Sequence, residues 1–252
     1  MNRRTFLAAS GTGILGGVAG CLGGNSNGSD ADGYGPEPET VPEERTIDTS
    51  TYETAEFDGF DVPLAPIDDV FYWYQRQEAR VADARGSAQY ERAHIVGAPL
   101  STAPDGVSND PVSGWSKDDR IVTYCGCPHH LSGLRAASLL DSGYEEVYAI
   151  DEGFGAWIDR GYPLEGSEVS SDRATYQISG RSDPAYTGEM VMLEQVDADR
   201  LEAAPIADDG SYTLQLHYAG SIDSRFRVKA PDYTVEGTLE ELTSSPLTPT
   251  QN

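Results

Sequence analysis

Residues 120–133 read RIVTYCGCPHHLSG. Arg120 opens a short run, IVTY, that is rich in β-branched and aromatic residues and reads as a strand. It stops at Cys125, and a helix with the pattern SGLRAASLLDSGY is expected from Ser132, with Leu134, Leu139 and Leu140 inward and Gly143 as its stop. A strand followed at once by a helix is half of a βαβ unit, and open α/β sheets place their ligand sites at the carboxyl ends of such strands. A sulfur at that edge can receive loop N–H groups and the partial positive charge of the helix start. An ordinary thiol is only about 3% ionised at pH 7, and such a setting favours the thiolate. The alternative is an inert cysteine buried at a strand end.

The flanking chain repeats the strand–helix rhythm. IDDVFYWYQRQEA carries Val70, Trp73 and Tyr74 on one helical face, with Asp68 and Asp69 as candidate caps. RVADAR reads as a strand, SAQYERA as a short helix and HIVGAPL as another strand. Residues 101–119 form a polar loop, EEVYAI reads as a strand and GFGAWIDRGY as a closing helix. Alternation of this kind implies a parallel sheet with helices on both faces, and its aromatics are expected in the core. Beyond residue 167 the period changes. ATYQISG, GEMVMLEQ, SYTLQLHY, SRFRVKA and DYTVEGT are short alternating runs between turn residues, which predict a small antiparallel β-sandwich. DDGSYTLQL loosely resembles Ig-like and carboxypeptidase-regulatory-like modules, and His217 reads as a strand side chain.

The chain opens MNRRTFLAASGTGILGGVAGC. Its apolar run is too short to span a bilayer as a mature helix. Arg3, Arg4, Phe6 and Leu7 resemble a twin-arginine export signal, and VAGC resembles a lipobox that would make Cys21 a lipidated first residue. The expected location is the outer face of the plasma membrane, held by a lipid anchor, with secretion as the alternative. Residues 22–55 are poor in apolar side chains and predict a flexible tether. The expected layout is a signal over 1–21, that tether, an α/β domain over 56–166, the β-sandwich over 167–245 and a tail over 246–252.

The net charge is −25, from 42 acidic against 17 basic residues, of which only Lys117 and Lys229 are lysines. Acidic, lysine-poor composition resembles that of extreme halophiles, where a Debye length of about 3 Å in molar salt screens surface repulsion. It leaves no basic stripe for phosphates and argues against a nucleic-acid partner.

VADARGSAQYERAHIVGA, IVTYC and SGLRAASLLDSGYEEVYAIDEGFGAW together resemble a single rhodanese domain from about residue 65 to 165. Asp83, Arg85, Tyr90, His94, Gly97 and Ala98 match the first signature, and the last runs through Trp157. By that resemblance Cys125 is the nucleophile that accepts sulfane sulfur as a persulfide. Gly126, Cys127, Pro128, His129, His130, Leu131 and Ser132 form its loop. Asp83, Arg85 and His94 support the site, and no cofactor or metal is implied. The partners implied are a small sulfane-sulfur donor and a thiol or other nucleophilic acceptor.

The loop departs from the family pattern, in which an arginine stands just before the serine. Leu131 holds that place here, and Arg135 lies three residues into the helix, where reach back to the loop is an open question. An anionic donor loses a binding group, which brings persulfide and polysulfide donors level with thiosulfate. Three roles are open to Cys127: resolving a persulfide, forming a regulatory disulfide with Cys125, or shaping the loop. The rival reading is a non-catalytic surface module that binds a partner, a ligand or a soft metal through Cys125, Cys127, His129 and His130. The two histidines are expected at the pocket mouth.

Overall fold

A computed structural model describes residues 31–126, 128–169, 174–198 and 200–249. The export-signal residues, Cys21, the start of the tether and Cys127 lie outside them. The elements in chain order are β1 (Thr54–Phe57), β2 (Phe60–Ala65), α1 (Ile67–Gln75), β3 (Arg80–Asp83), α2 (Ser87–Arg92), β4 (His94–Ile95), β5 (Arg120–Tyr124), α3 (His130–Asp141), β6 (Glu146–Ile150), α4 (Gly153–Asp159) and β7 (Leu164–Glu165). There follow β8 (Ala174–Arg181), β9 (Met190–Gln195), β10 (Leu201–Pro205), β11 (Ser211–Tyr218), β12 (Arg225–Lys229), β13 (Thr234–Thr238) and α5 (Leu239–Thr243).

The first sheet runs β1-β2-β6-β5-β3, with β2, β6, β5 and β3 parallel. Alternation along the central strands assigns side chains to two cores. Ile121, Val147 and Ala149 join Ala136, Ala137 and Leu139 of α3 on one face. Val122, Tyr124, Tyr148 and Ile150 join Trp73 of α1 with Phe154 and Trp157 of α4 on the other. Period-2 sorting of this kind places helices on both sides of one sheet.

The sheet is mixed rather than all parallel. β1 pairs antiparallel with β2 through the turn residues Asp58 (φ 47°) and Gly59 (φ 83°). Positive φ at both positions is the requirement of a two-residue hairpin turn, which Asp-Gly meets. Phe57 from this hairpin lies across α3 at Gly133, where an added methyl would stand 2.2 Å from its ring.

The structure differs from five other expectations. Residues 32–55 were expected in the tether, yet Gly33 donates to Gly97 O (2.9 Å) and accepts from Val81 N (2.7 Å), so it covers the open edge of β3. Farther on, Arg45 N donates to Tyr72 Oη (2.7 Å) and Tyr52 Oη to Asp69 Oδ2 (2.9 Å). Backbone and polar bonds hold this segment, and hydropathy is blind to them. HIVGAPL is not one strand: β4 pairs with β7, while Leu100 bridges Asp83. α3 begins at His130, with His129 in the left-handed region (φ 35°) as its cap, and Pro66 rather than an aspartate caps α1. The expected tail is tied in at Leu247, which donates to Ser179 O and accepts from Arg181 N, both at 2.9 Å.

The paired strands of the C-terminal region are antiparallel, in sheets β10-β9-β12-β13 and β11-β8, and Leu247 adds a parallel bridge to Gly180. Ile178, Leu214 and Leu216 from one sheet share an apolar cluster with Val191, Leu193, Phe226 and Val228 from the other. β10 is absent from the sequence reading, because LEAAP lacks the β-branched residues that mark a strand.

Gly133→Ala is expected to destabilise the chain by about 1–3 kcal/mol in urea unfolding, because the methyl overpacks against Phe57. Combining it with Phe57→Ala should recover part of that loss, giving a favourable coupling energy.

Candidate active site

Cys125 follows β5 at the carboxyl edge of the sheet. Its carbonyl accepts from Phe154 N (2.8 Å), and its Sγ lies 3.4 Å from Ser132 Oγ on the first turns of α3. Ser132 is held in turn by its carbonyl, which accepts from Thr123 Oγ1 (2.8 Å). The Cys125 side chain has no exposed surface. The adjoining cavity wall is made by Gly126 and Pro128 instead.

Asp83 and Arg85 brace the edge beside it. Arg85 donates from Nε to Asp83 Oδ1 (2.9 Å), and from Nη2 to Asp83 Oδ2 (2.5 Å) and to Ala93 O (2.7 Å). Its guanidinium carbon lies 4.0 Å from the centre of the Phe154 ring. Burial works against the cation, and Asp83 outweighs it, so the pKa of Arg85 is raised. His94 stacks on Tyr90 at 3.7 Å, with Nδ1 2.8 Å from Tyr90 O and Nε2 3.3 Å from Glu165 Oε1. These contacts join α2, β4 and β7 and leave His94 outside the cavity lining.

Arg135 turns away from the cysteine loop. It donates to Ser101 Oγ (2.8 Å) and Pro104 O (3.1 Å) and pairs with Asp110 (3.3 Å). Its place on α3 directs it to the 101–110 loop, so it supplies no charge for a donor. His129 faces Asp151 (3.5 Å to Oδ1), and neither His129 nor His130 lines the cavity. Burial and the neighbouring His129 lower the pKa of His130, which keeps it neutral at pH 7. Among the described residues no group of three or more Cys, His, Asp and Glu side chains is arranged to hold a metal ion.

The cavity, about 380 Å³, lies between the two halves of the chain. Its walls include Arg85, Arg92, Gly126, Pro128, Glu152 and Phe154 on one side and Arg200, Glu202, Gln215 and His217 on the other. Gln89 Nε2 donates to Leu201 O (2.7 Å), and Asp159 meets Gln215 Nε2 and His217 Nε2 at 3.0 Å each. Arg200 pairs with Glu168 at 2.7 Å. Glu202, on β10, stands over the cysteine loop: a methyl added at Gly126 would lie 2.9 Å from its Oε2. Burial pushes the Glu202 pKa up to about 6, against the opposing pull of Arg85, Arg200 and Arg92. The sequence carried no signal for this half of the site, since Arg200 and Glu202 lie in and beside the strand whose pattern is not strand-like.

A model of the rhodanese-like domain matches residues 72–160. The thiosulfate sulfurtransferase GlpE of Pseudoalteromonas translucida is 31% identical over 87 residues, which cover 32% of this chain and 75% of that protein. The chain belongs to the rhodanese-like family. The thiosulfate sulfurtransferase GlpE of Vibrio cholerae is 29% identical over 94 residues, 37% of this chain and 85% of its own. The solution structure of the rhodanese-like domain of the Anabaena protein Alr3790 is 23% identical and covers 43% of this chain and 83% of its own, with a TM-score of 0.39. The rhodanese-like match ends before β8, so all of β8–β13 lies beyond it.

Asp83→Ala leaves Arg85 buried without its carboxylate and is expected to cost about 3–5 kcal/mol in thermal or urea unfolding. Glu202 sets a pH signature of its own. The folded chain holds its proton up to about pH 6, whereas the ordinary value is 4.5. Wild type should therefore lose stability relative to Glu202→Gln as pH rises through that window, with a constant difference on either side.

Proposed function

We propose that the chain is a sulfurtransferase in which Cys125 carries sulfane sulfur as a persulfide. The observation that carries this reading is the position of Cys125, at the end of the central parallel strand, followed by α3 and with the Ser132 hydroxyl at its sulfur. The chain's similarity to the two thiosulfate sulfurtransferases supports it.

In the first half-reaction the Cys125 thiolate attacks the outer sulfur of the donor. With thiosulfate the sulfur–sulfur bond breaks and sulfite leaves with the electron pair; with a hydropersulfide a thiolate leaves. In the second, an acceptor thiolate attacks the outer sulfur of the Cys125 persulfide and restores the Cys125 thiolate. No external oxidant or reductant is needed, and one difficult transfer becomes two easier ones. The Ser132 hydroxyl is placed to donate to the sulfur anion in both steps.

The alternative, a non-catalytic rhodanese-like module, has one observation in its favour: Cys125 is fully buried. We also read the two C-terminal sheets, with their common apolar cluster, as the layers of a small sandwich. On the twin-arginine and VAGC pattern we place the chain at the outer face of the membrane, anchored through Cys21.

Mass spectrometry of reduced protein treated with thiosulfate or polysulfide tests the catalytic reading. One sulfur atom should be gained on the Cys125 peptide and lost again on adding a thiol. Cys125→Ser should abolish both steps. A wild-type protein that gains no sulfur from any donor would establish the non-catalytic module.

A further inference from the structure

We infer that Glu202, contributed by the C-terminal region, is a specificity-determining residue that selects against dianionic donors at the Cys125 loop. The inference rests on the sulfurtransferase reading above and names the donor class that the site prefers.

The argument is one of position and charge. The cavity beside Gly126 and Pro128 is the space through which a donor meets the cysteine loop. Three guanidinium groups line it, those of Arg85, Arg92 and Arg200, and three carboxylates, those of Glu152, Glu168 and Glu202. Arg85 is further engaged by Asp83 at 2.5 Å and Arg200 by Glu168 at 2.7 Å. A space with three arginines on its wall thus offers no net positive charge to an incoming anion. Of the three glutamates, Glu202 is the one set against the cysteine loop, with Oε2 2.9 Å from where a Cβ at Gly126 would stand. It is also the carboxylate that Arg85, Arg92 and Arg200 all act upon.

A dianion approaching this loop must displace or sit beside a carboxylate already placed there. Beside a protein wall the repulsion between like charges a few ångströms apart exceeds its value in bulk water several-fold. An organic hydropersulfide, which carries at most one negative charge, meets less of it. Leu131 and Arg135 act in the same direction, since neither brings a cation to the loop. Discrimination of this kind is achieved by placing a repulsive group against the unwanted ligand.

Two arms test the inference. In the Cys125→Ser background, calorimetric titration with thiosulfate at fixed ionic strength measures binding without chemistry. Glu202→Gln and Glu202→Ala should each tighten it roughly tenfold, while Glu202→Asp, which keeps the charge, should stay near the parent value. In the chain with Cys125 intact, the ratio of thiosulfate to hydropersulfide loading should rise by a similar factor for the Gln and Ala variants. The Ala variant removes the carboxylate without leaving an unpaired amide, so a folding defect in one variant leaves the other to decide. Unchanged thiosulfate binding in both would overturn the inference, as would an Asp variant that behaves like Gln. Sulfur loading absent from every protein, with binding still tightened, would instead refute the sulfurtransferase reading and leave the charge selection standing.

Discussion

The bidentate pair between Asp83 and Arg85 holds the carboxyl edge of the sheet together. Asp83 ends β3, next to the strand that delivers Cys125, and one guanidinium joins that strand end to Ala93 O after α2 and to the face of Phe154 on α4. Phe154 in turn donates its N–H to Cys125 O. A chain of direct contacts thus runs from the buried ion pair to the backbone of the candidate nucleophile. An unpaired charge at this depth costs several kcal/mol, so the pair forms as a unit or not at all. That requirement fixes the relative positions of β3, α2 and α4 more tightly than apolar packing could, because hydrophobic contact is non-directional.

The same guanidinium has a second consequence. Arg85 lines the cavity and lowers the energy of an ionised carboxylate near it, which lets β10 bring Glu202 to the roof of the cysteine loop. A carboxylate there without arginines would bear the full desolvation penalty. The site is therefore a product of both halves of the chain. The rhodanese-like half supplies the sulfur and one wall, and the β-rich half supplies the opposite wall and the charge that balances it. Asp159, bonded to both Gln215 and His217, fixes the two walls against each other on the far side of the cavity.

How much of this was legible in the sequence follows from the kind of force involved. β5, α3, β6 and α4 showed their period because each buries an apolar face, and Cys125 could be placed at the sheet edge from that period alone. The β1–β2 hairpin carried a readable sign, Asp58-Gly59 between alternating residues, which lost out to the low hydropathy of its surroundings. Residues 32–55 were illegible for a different reason. Their attachment runs largely through single contacts, such as the main-chain bonds of Gly33 to Val81 and Gly97 and the Tyr52–Asp69 bond, which leave no hydropathy period. Arg135 shows a third limit: its spacing from the loop was right for reaching back, and only the packing of α3 against the 101–110 loop decided that it points the other way.

The buried sulfur and the crowded roof are two sides of one constraint. A persulfide is easily lost to any passing nucleophile, so a carrier gains by keeping the sulfur out of water between transfers. Gly126 is the residue at which this protection and access meet. Its lack of a side chain leaves just enough room for Glu202 Oε2, so the C-terminal region can close over the loop at van der Waals range. A side chain at position 126 would meet the Glu202 carboxylate first, and that carboxylate would have to swing aside. The approach of Glu202 to Gly126 thus brings the charge of the β-rich half to the loop that follows the buried sulfur.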